Sequence, residues 1–281
     1  MDTHVEGPPS YEVGDVLQLH IIHSDTDVLT RFDRVSVTIS EVITCTMATV
    51  VRINFNGGSA VLKLYDRRFG NSLRDCDYQN IPYSDEAKAA YHEFLQRGAM
   101  GPFLNELDDE ESAADVIPRT MSDIRNGPDG VARFEAALWR LAHKHYRTES
   151  EAYARMQDLQ GVLIPKLYAV VRLVTPGETT RVAEYLNIPG ILLESIEGYS
   201  LDDLVTAPGA PATEQEWSSI VQRAIDSTHE INKRGIILDD SAPRNVVVDQ
   251  TTKQVFIIDF AQCLFKDTMF DAWFWDTDAK D

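Results

Sequence analysis

Apolar and polar positions alternate first with the period of a strand and later with that of a helix. Val35, Val37 and Ile39 alternate with polar neighbours, as a half-buried strand requires, and residues 35–43 are followed by two more β-rich stretches, 49–55 and 60–65. Asn56-Gly57-Gly58 between the last two is a strong hairpin signal, so the three segments predict an antiparallel meander. Residues 1–30 read as a lead-in, extended around Gly7-Pro8-Pro9, with a further strand predicted over 16–22.

Helical spacing takes over further on. Ser84 predicts an N-cap for a helix through Arg97, with Ala87, Ala90, Tyr91, Phe94 and Leu95 on one stripe and Gly98 as its stop. Residues 105–115 (NELDDEESAAD) are strongly acidic and read as a solvated loop or a helix start. Residues 131–159 hold neither proline nor glycine, and Phe134, Leu138, Leu141, His145, Ala152 and Met156 recur at roughly helical spacing. After Gly161 a strand is predicted through Val170, Val171 and Leu173. A proline- and alanine-rich linker, 207–212, precedes a helix over 214–234. Thr213 is its N-cap, Gly235 its stop, and Trp217, Ile220, Val221, Ala224, Ile225 and Ile231 are its apolar face.

Residues 235–263 carry the candidate chemistry. Three short β-rich pieces, 236–238, 246–248 and 255–258, alternate with Asp240, Asn245 and Asp259. A hairpin over 246–258, closed by DQTTKQ, would bring Asn245 and Asp259 to one end. Two hard oxygen donors there, with a carboxylate five residues before the asparagine, suit magnesium and a phosphate. Asp and Asn also end strands for purely local reasons, so each residue alone is a weak signal.

The spacing resembles the protein-kinase-like catalytic core. Asp240-Ser241-Ala242-Pro243-Arg244-Asn245 is similar to the D-x-x-x-x-N of the catalytic loop, and Asp259-Phe260-Ala261 to Asp-Phe-Gly. The wording is closest to divergent protein-kinase-like proteins of fungi. The resemblance implies an α+β, two-lobed fold. Residues 31–196 would form an antiparallel-sheet small lobe with an insertion at about 66–130, and residues 197–281 a short, mainly helical large lobe. It implies that Lys63 pairs with the α- and β-phosphates of ATP, and that Glu149, preferred to Glu151, orients that lysine. Leu193 would guard the adenine pocket, with the backbone of Glu194 and Ile196 on the adenine edge. Asn245 and Asp259 would hold Mg2+, and Asp240 would be the catalytic base.

The same comparison exposes departures. Residues 41–48 (EVITCTMA), where kinases carry a glycine-rich phosphate loop, contain no glycine. Leu238-Asp239-Asp240 replaces the usual histidine-led triplet, and Ala261 stands at the family glycine. The 22 residues after Asp259 are too few for an activation segment or a helical peptide platform, so a truncated large lobe is expected. Their aromatic-rich stretch predicts a short helix packed on the lobe or a partner-binding patch. Three functions follow: an ATP-dependent phosphotransferase acting on a hydroxyl, with protein kinase as the favoured label; an ATP-binding pseudokinase serving as an interaction module; and a small-molecule kinase similar to aminoglycoside and choline kinases. The acceptor, protein or small molecule, stays open.

Charge and cysteines narrow the setting. A formal charge of −19 and a pI of about 4.7 argue against nucleic-acid or anionic membrane partners. Cys45, Cys76 and Cys263 have no paired spacing, so neither a disulfide framework nor a zinc site is expected. With no basic-then-apolar leader and no apolar run of membrane-spanning length, the expected location is cytoplasmic, with the nucleus also open.

Overall fold

The computed structural model describes residues 11–24, 33–55, 58–113, 115–173 and 182–269. It is a mixed α and β structure with an antiparallel sheet, and it divides into two compact units. The first comprises Met1–Lys144 and Ala169–Leu192, the second His145–Tyr168 and Leu193–Asp281.

The sheet begins with β1 (Val16–Ser24), β2 (Arg34–Cys45), β3 (Thr49–Phe55) and β4 (Gly58–Leu64). Val35, Val37 and Ile39 of β2, Val51 and Ile53 of β3, and Leu62 and Leu64 of β4 are buried, so every second side chain enters the core. The β3–β4 hairpin pairs Phe55 with Gly58, as the meander predicts; Asn56 and Gly57 of the turn lie outside the described residues. The sheet does not stop at a meander. β1 pairs antiparallel with β2 and also with β7 (Leu167–Leu173), and with β8 (Ile188–Glu194) the order β1-β2-β3-β4-β8-β7 closes into a barrel. Residues 16–24, read from sequence within a lead-in, are therefore the strand that closes it.

Between β4 and β7 the chain builds a small hairpin, β5 (Asp75–Cys76) and β6 (Gln79–Asn80), then α1 (Asp85–Gln96), α2 (Met100–Ser112), α3 (Met121–Asn126) and α4 (Gly130–Arg155). Ser84 caps α1, its hydroxyl accepting the Ala87 N–H at 3.2 Å, and Gly98 (φ +69°) ends it. The acidic run is helical: Phe103 and Leu107 of α2 are buried, while Asp108 and Glu111 pair with Arg140, and Glu111 with Lys144. Tyr91, Phe94, Met100, Phe103, Ile124 and Trp139 give these helices a core of their own.

Two devices fasten the segment after β4. Gly70 (φ +107°) lies so close to the β2–β3 turn that a Cβ would sit 2.3 Å from the Thr46 carbonyl oxygen. There the Asn71 and Leu73 amides donate to the carbonyls of Cys45 and Thr46. Buried Glu135 of α4 accepts from Arg67 and, at 2.6 Å, from Arg74, so two buried arginines share one buried carboxylate.

The first unit also holds α5 (Ala183–Leu186), and the second holds the end of α4, β9 (Gly198–Ser200), α6 (Glu214–Lys233), β10 (Ile236–Ile237), β11 (Val246–Asp249), β12 (Val255–Ile257) and β13 (Leu264–Phe265). β12, β11 and β9 form a three-stranded sheet, and β10 pairs with β13. Thr213 and Glu216 form a reciprocal cap on α6, and Gly235 (φ +77°) follows its end. The buried face of α6 is Ile220, Ala224, Ser227 and Ile231; Val221 and Ile225, expected on that face, are 40% and 43% exposed. They stand one residue, or about 100°, round the helix from the buried row.

Candidate functional site

The β11–β12 hairpin pairs Val246 with Ile257, and beyond that pair the Ile258 N–H donates to the Asn245 carbonyl at 2.9 Å. Asn245 and Asp259 thus flank the same end, as alternating β-branched residues around a polar turn dictate. Asp249 shapes that turn by accepting from the amides of Thr251 and Thr252.

Asn245 ends a single 3-10 turn, Pro243–Asn245, and is nearly buried at 8% exposure. Its Nδ2 donates to the Asp240 carbonyl oxygen at 2.8 Å and to Asp240 Oδ2 at 3.0 Å. Arg244 pairs with Asp240 Oδ1. The amide nitrogen is spent on Asp240, so the free geometry of Asn245 is its Oδ1, a hard oxygen donor. Asp240 itself has a side chain 30% exposed, open enough to meet a ligand.

Asp259 is exposed and takes φ +64°, a left-handed backbone that a residue with a Cβ adopts at a cost. The next residue, Phe260, is fully buried and donates its N–H to Glu149 Oε1 at 3.3 Å. Glu149 is itself fully buried, one helical turn before Tyr153 on α4. Tyr153 meets Phe260 edge to face, with ring centroids 5.5 Å apart. Burial, then the charges of Glu149, Asp259 and Glu194, raises the Tyr153 hydroxyl well above its ordinary pKa. Burial with Glu149 nearby pushes the Cys263 thiol up to about 12. The three cysteines are free.

The candidate adenine edge is also in this unit. Leu193 is buried. Glu194 donates its N–H to the Lys166 carbonyl at 2.9 Å, and its carboxylate accepts the Lys166 N–H. With that N–H spent, an adenine edge would have to be met by the carbonyl of Glu194 and the main chain of Ile196. Lys63 belongs to the other unit. It is only 7% exposed on β4, with Nζ 5.7 Å from the Tyr65 ring centroid, whereas Leu62 and Leu64 enter the barrel core. Alternation along β4 puts Lys63 on the side opposite Leu62 and Leu64, and the fold buries it there.

No family model matches the chain, and no curated protein matches it.

Among the described residues, no group of three or more His, Cys, Asp or Glu side chains is placed to hold a metal ion. Asn245 and Asp259 are two oxygen donors, a number that suits a magnesium ion completed by phosphate oxygens and water. Also among the described residues, no helix is long and apolar enough to cross a membrane. Tyr153, packed on Phe260 beside the candidate site, is a neighbour to which sequence reasoning gave no part. Its signal was available in its position, four residues after Glu149 on one helix face.

Proposed function

We propose that the chain is an ATP-dependent phosphotransferase of the protein-kinase-like class that acts on a hydroxyl acceptor. The observation that carries the reading is the orientation of Asn245. Its amide nitrogen is committed to Asp240, which leaves Oδ1 at the hairpin end shared with Asp259. In this reading Mg-ATP supplies the phosphoryl group and the cation that neutralises its charge. Asn245 and Asp259 hold that cation. Asp240 takes the proton of the acceptor hydroxyl as its oxygen bonds to phosphorus and the bond to the departing ADP oxygen breaks. Glu149 fixes the backbone after Asp259 through the Phe260 N–H. The phosphate-pairing role of Lys63 and the fungal-type wording come from the resemblance alone. The closed barrel is no part of what that resemblance implies, so the reading rests on the second unit.

A second reading, nucleotide binding without transfer, is favoured by one observation. Both carboxylate oxygens of Asp240 already accept hydrogen bonds, from Arg244 and Asn245. The substitution Asp240→Asn separates the two. It keeps shape and removes the base, so the phosphotransferase reading expects unchanged Mg-ATP affinity and a loss of about 10²-fold or more in ATP turnover. A parent protein that binds Mg-ATP yet turns none over supports binding alone. Equal turnover in parent and variant removes Asp240 from the chemistry.

A further inference from the structure

The second unit holds an open groove of about 640 Å3, lined by one face of α6 and by Val162, Leu163 and Val255. Thr252 and Gln254 also line it, so it lies at the turn end of the β11–β12 hairpin, away from Asn245 and Asp259. Three polar groups here have no hydrogen-bond partner among the described residues. The first is the hydroxyl of Ser227, a residue only 4% exposed. The other two are the main-chain N–H and C=O of Val255, which is 3% exposed. Asp249 donates its N–H to the Gln254 carbonyl, and Ile258 donates to the Asn245 carbonyl. Bonded pairs therefore fall at every second position of the ladder and turn Val255 away from β11. Ile257 uses that same outer edge to donate to the Leu163 carbonyl at 2.8 Å.

Buried main-chain groups without partners are rare, because each unmade bond has a cost. A donor, an acceptor and a hydroxyl left open at one groove mark a place that a ligand or water completes. The charges select among ligands. Asp226 and Glu230 line the groove together with Arg223 and Lys233, which disfavours a bare anion. Lys233 and Glu230 pair with each other. Among the described residues Arg223 meets no carboxylate and bonds only the Ser219 carbonyl of its own helix. Asp226 meets no cation and accepts only from Gln222. Val162, 54% exposed, adds an aliphatic surface. An extended peptide matches all of this: its main chain offers both a C=O and an N–H to Val255, and its side chains answer the charges and the aliphatic surface.

We propose that this groove docks an extended segment of a partner protein, one that carries an aliphatic side chain beside an acidic and a basic one. The acid meets Arg223, the base meets Asp226, and the main chain bonds Val255 and Ser227. The inference stands apart from the phosphotransferase reading, since it uses neither a nucleotide nor the candidate metal end.

The probe is a phage-displayed library of random short peptides, selected against the folded parent. The enriched peptide is synthesised, and fluorescence anisotropy gives its Kd for the parent, Arg223→Glu and Ser227→Ala, with thermal denaturation of each. The inference expects enriched peptides to share an aliphatic, an acidic and a basic side chain. Arg223→Glu, at an exposed position, should weaken binding about 10-fold or more, and lysine in place of the peptide's acid should restore it. Ser227→Ala should weaken binding about 3- to 10-fold, the scale of one hydrogen bond, without lowering the melting temperature. No enriched peptide overturns the inference, whether water, inorganic phosphate or a second copy of the chain fills the groove instead. A peptide that binds Arg223→Glu as well as the parent sits elsewhere and also overturns it. A lower melting temperature for Ser227→Ala assigns the hydroxyl to the fold, with the same result.

Discussion

Phe260 donates its backbone N–H to Glu149 Oε1 at 3.3 Å, joining residues 111 positions apart in the chain. The bond ties the last turns of α4 to the exit of the β11–β12 hairpin, where Asp259 begins. Both residues are fully buried, so water cannot replace either partner. Glu149→Ala leaves a buried N–H unsatisfied, at a cost of about 1–3 kcal/mol. At ~2–4 °C per kcal/mol for a chain of this size, the melting temperature falls by several degrees. Glu149→Gln keeps an acceptor oxygen and loses less than half as much. Thermal denaturation checks both, and equal melting temperatures for the alanine variant and the parent would show that the bond carries no stability.

The contact of Gly70 with the β2–β3 turn makes a prediction with an internal control. Gly70→Ala must hold a Cβ at φ +107° and against the Thr46 carbonyl oxygen. The left-handed backbone alone costs about 1–2 kcal/mol, and the contact adds to it. Gly101 of α2 has nothing within 4 Å of an added Cβ, so Gly101→Ala is expected to stabilise by about 0.5–1 kcal/mol. Denaturation curves should therefore move in opposite directions.

Glu111 carries the pH dependence. Hydrogen bonds from Lys144 and Arg140 lower its carboxyl from 4.5 to about 2. A depressed folded-state value means that the pairing stabilises the protein above the unfolded value of 4.5, and that this is lost as pH falls towards about 2. The carboxylate is half exposed, so its contribution is that of a screened surface pair, below about 1 kcal/mol. Carboxyl-resolved NMR titration should find Glu111 near about 2, and Lys144→Ala should move it upward. No movement would mean that the α2–α4 pairing does not hold the charge.

Much of the second unit was legible because its signals are local. Thr213 and Glu216 three residues on announce the start of α6, and β-branched residues around a polar turn announce the hairpin that aligns Asn245 with Asp259. What was not legible depends on partners distant in the chain. Nothing local in residues 16–24 shows that they pair with both β2 and β7 and so close a barrel. Arg67, Arg74 and Glu135 look like surface charges until the fold buries them together. Val221 and Ile225 show the same limit within one helix: periodicity finds an apolar side but cannot choose between rows about 100° apart. Tyr153 reads as ordinary core, and only the absence of a partner for its hydroxyl among the described residues sets it apart.

The central claim is that Asn245 and Asp259 form the cation end of a nucleotide site. Calorimetric titration of the parent and of Asp259→Ala with ATP, each with and without Mg2+, tests it most directly. The account predicts that the parent binds ATP far more tightly with Mg2+ than without, and that the variant stays folded but loses the Mg2+-dependent gain. Equal ATP affinity in parent and variant with Mg2+ present, or no ATP binding by the folded parent, would contradict it.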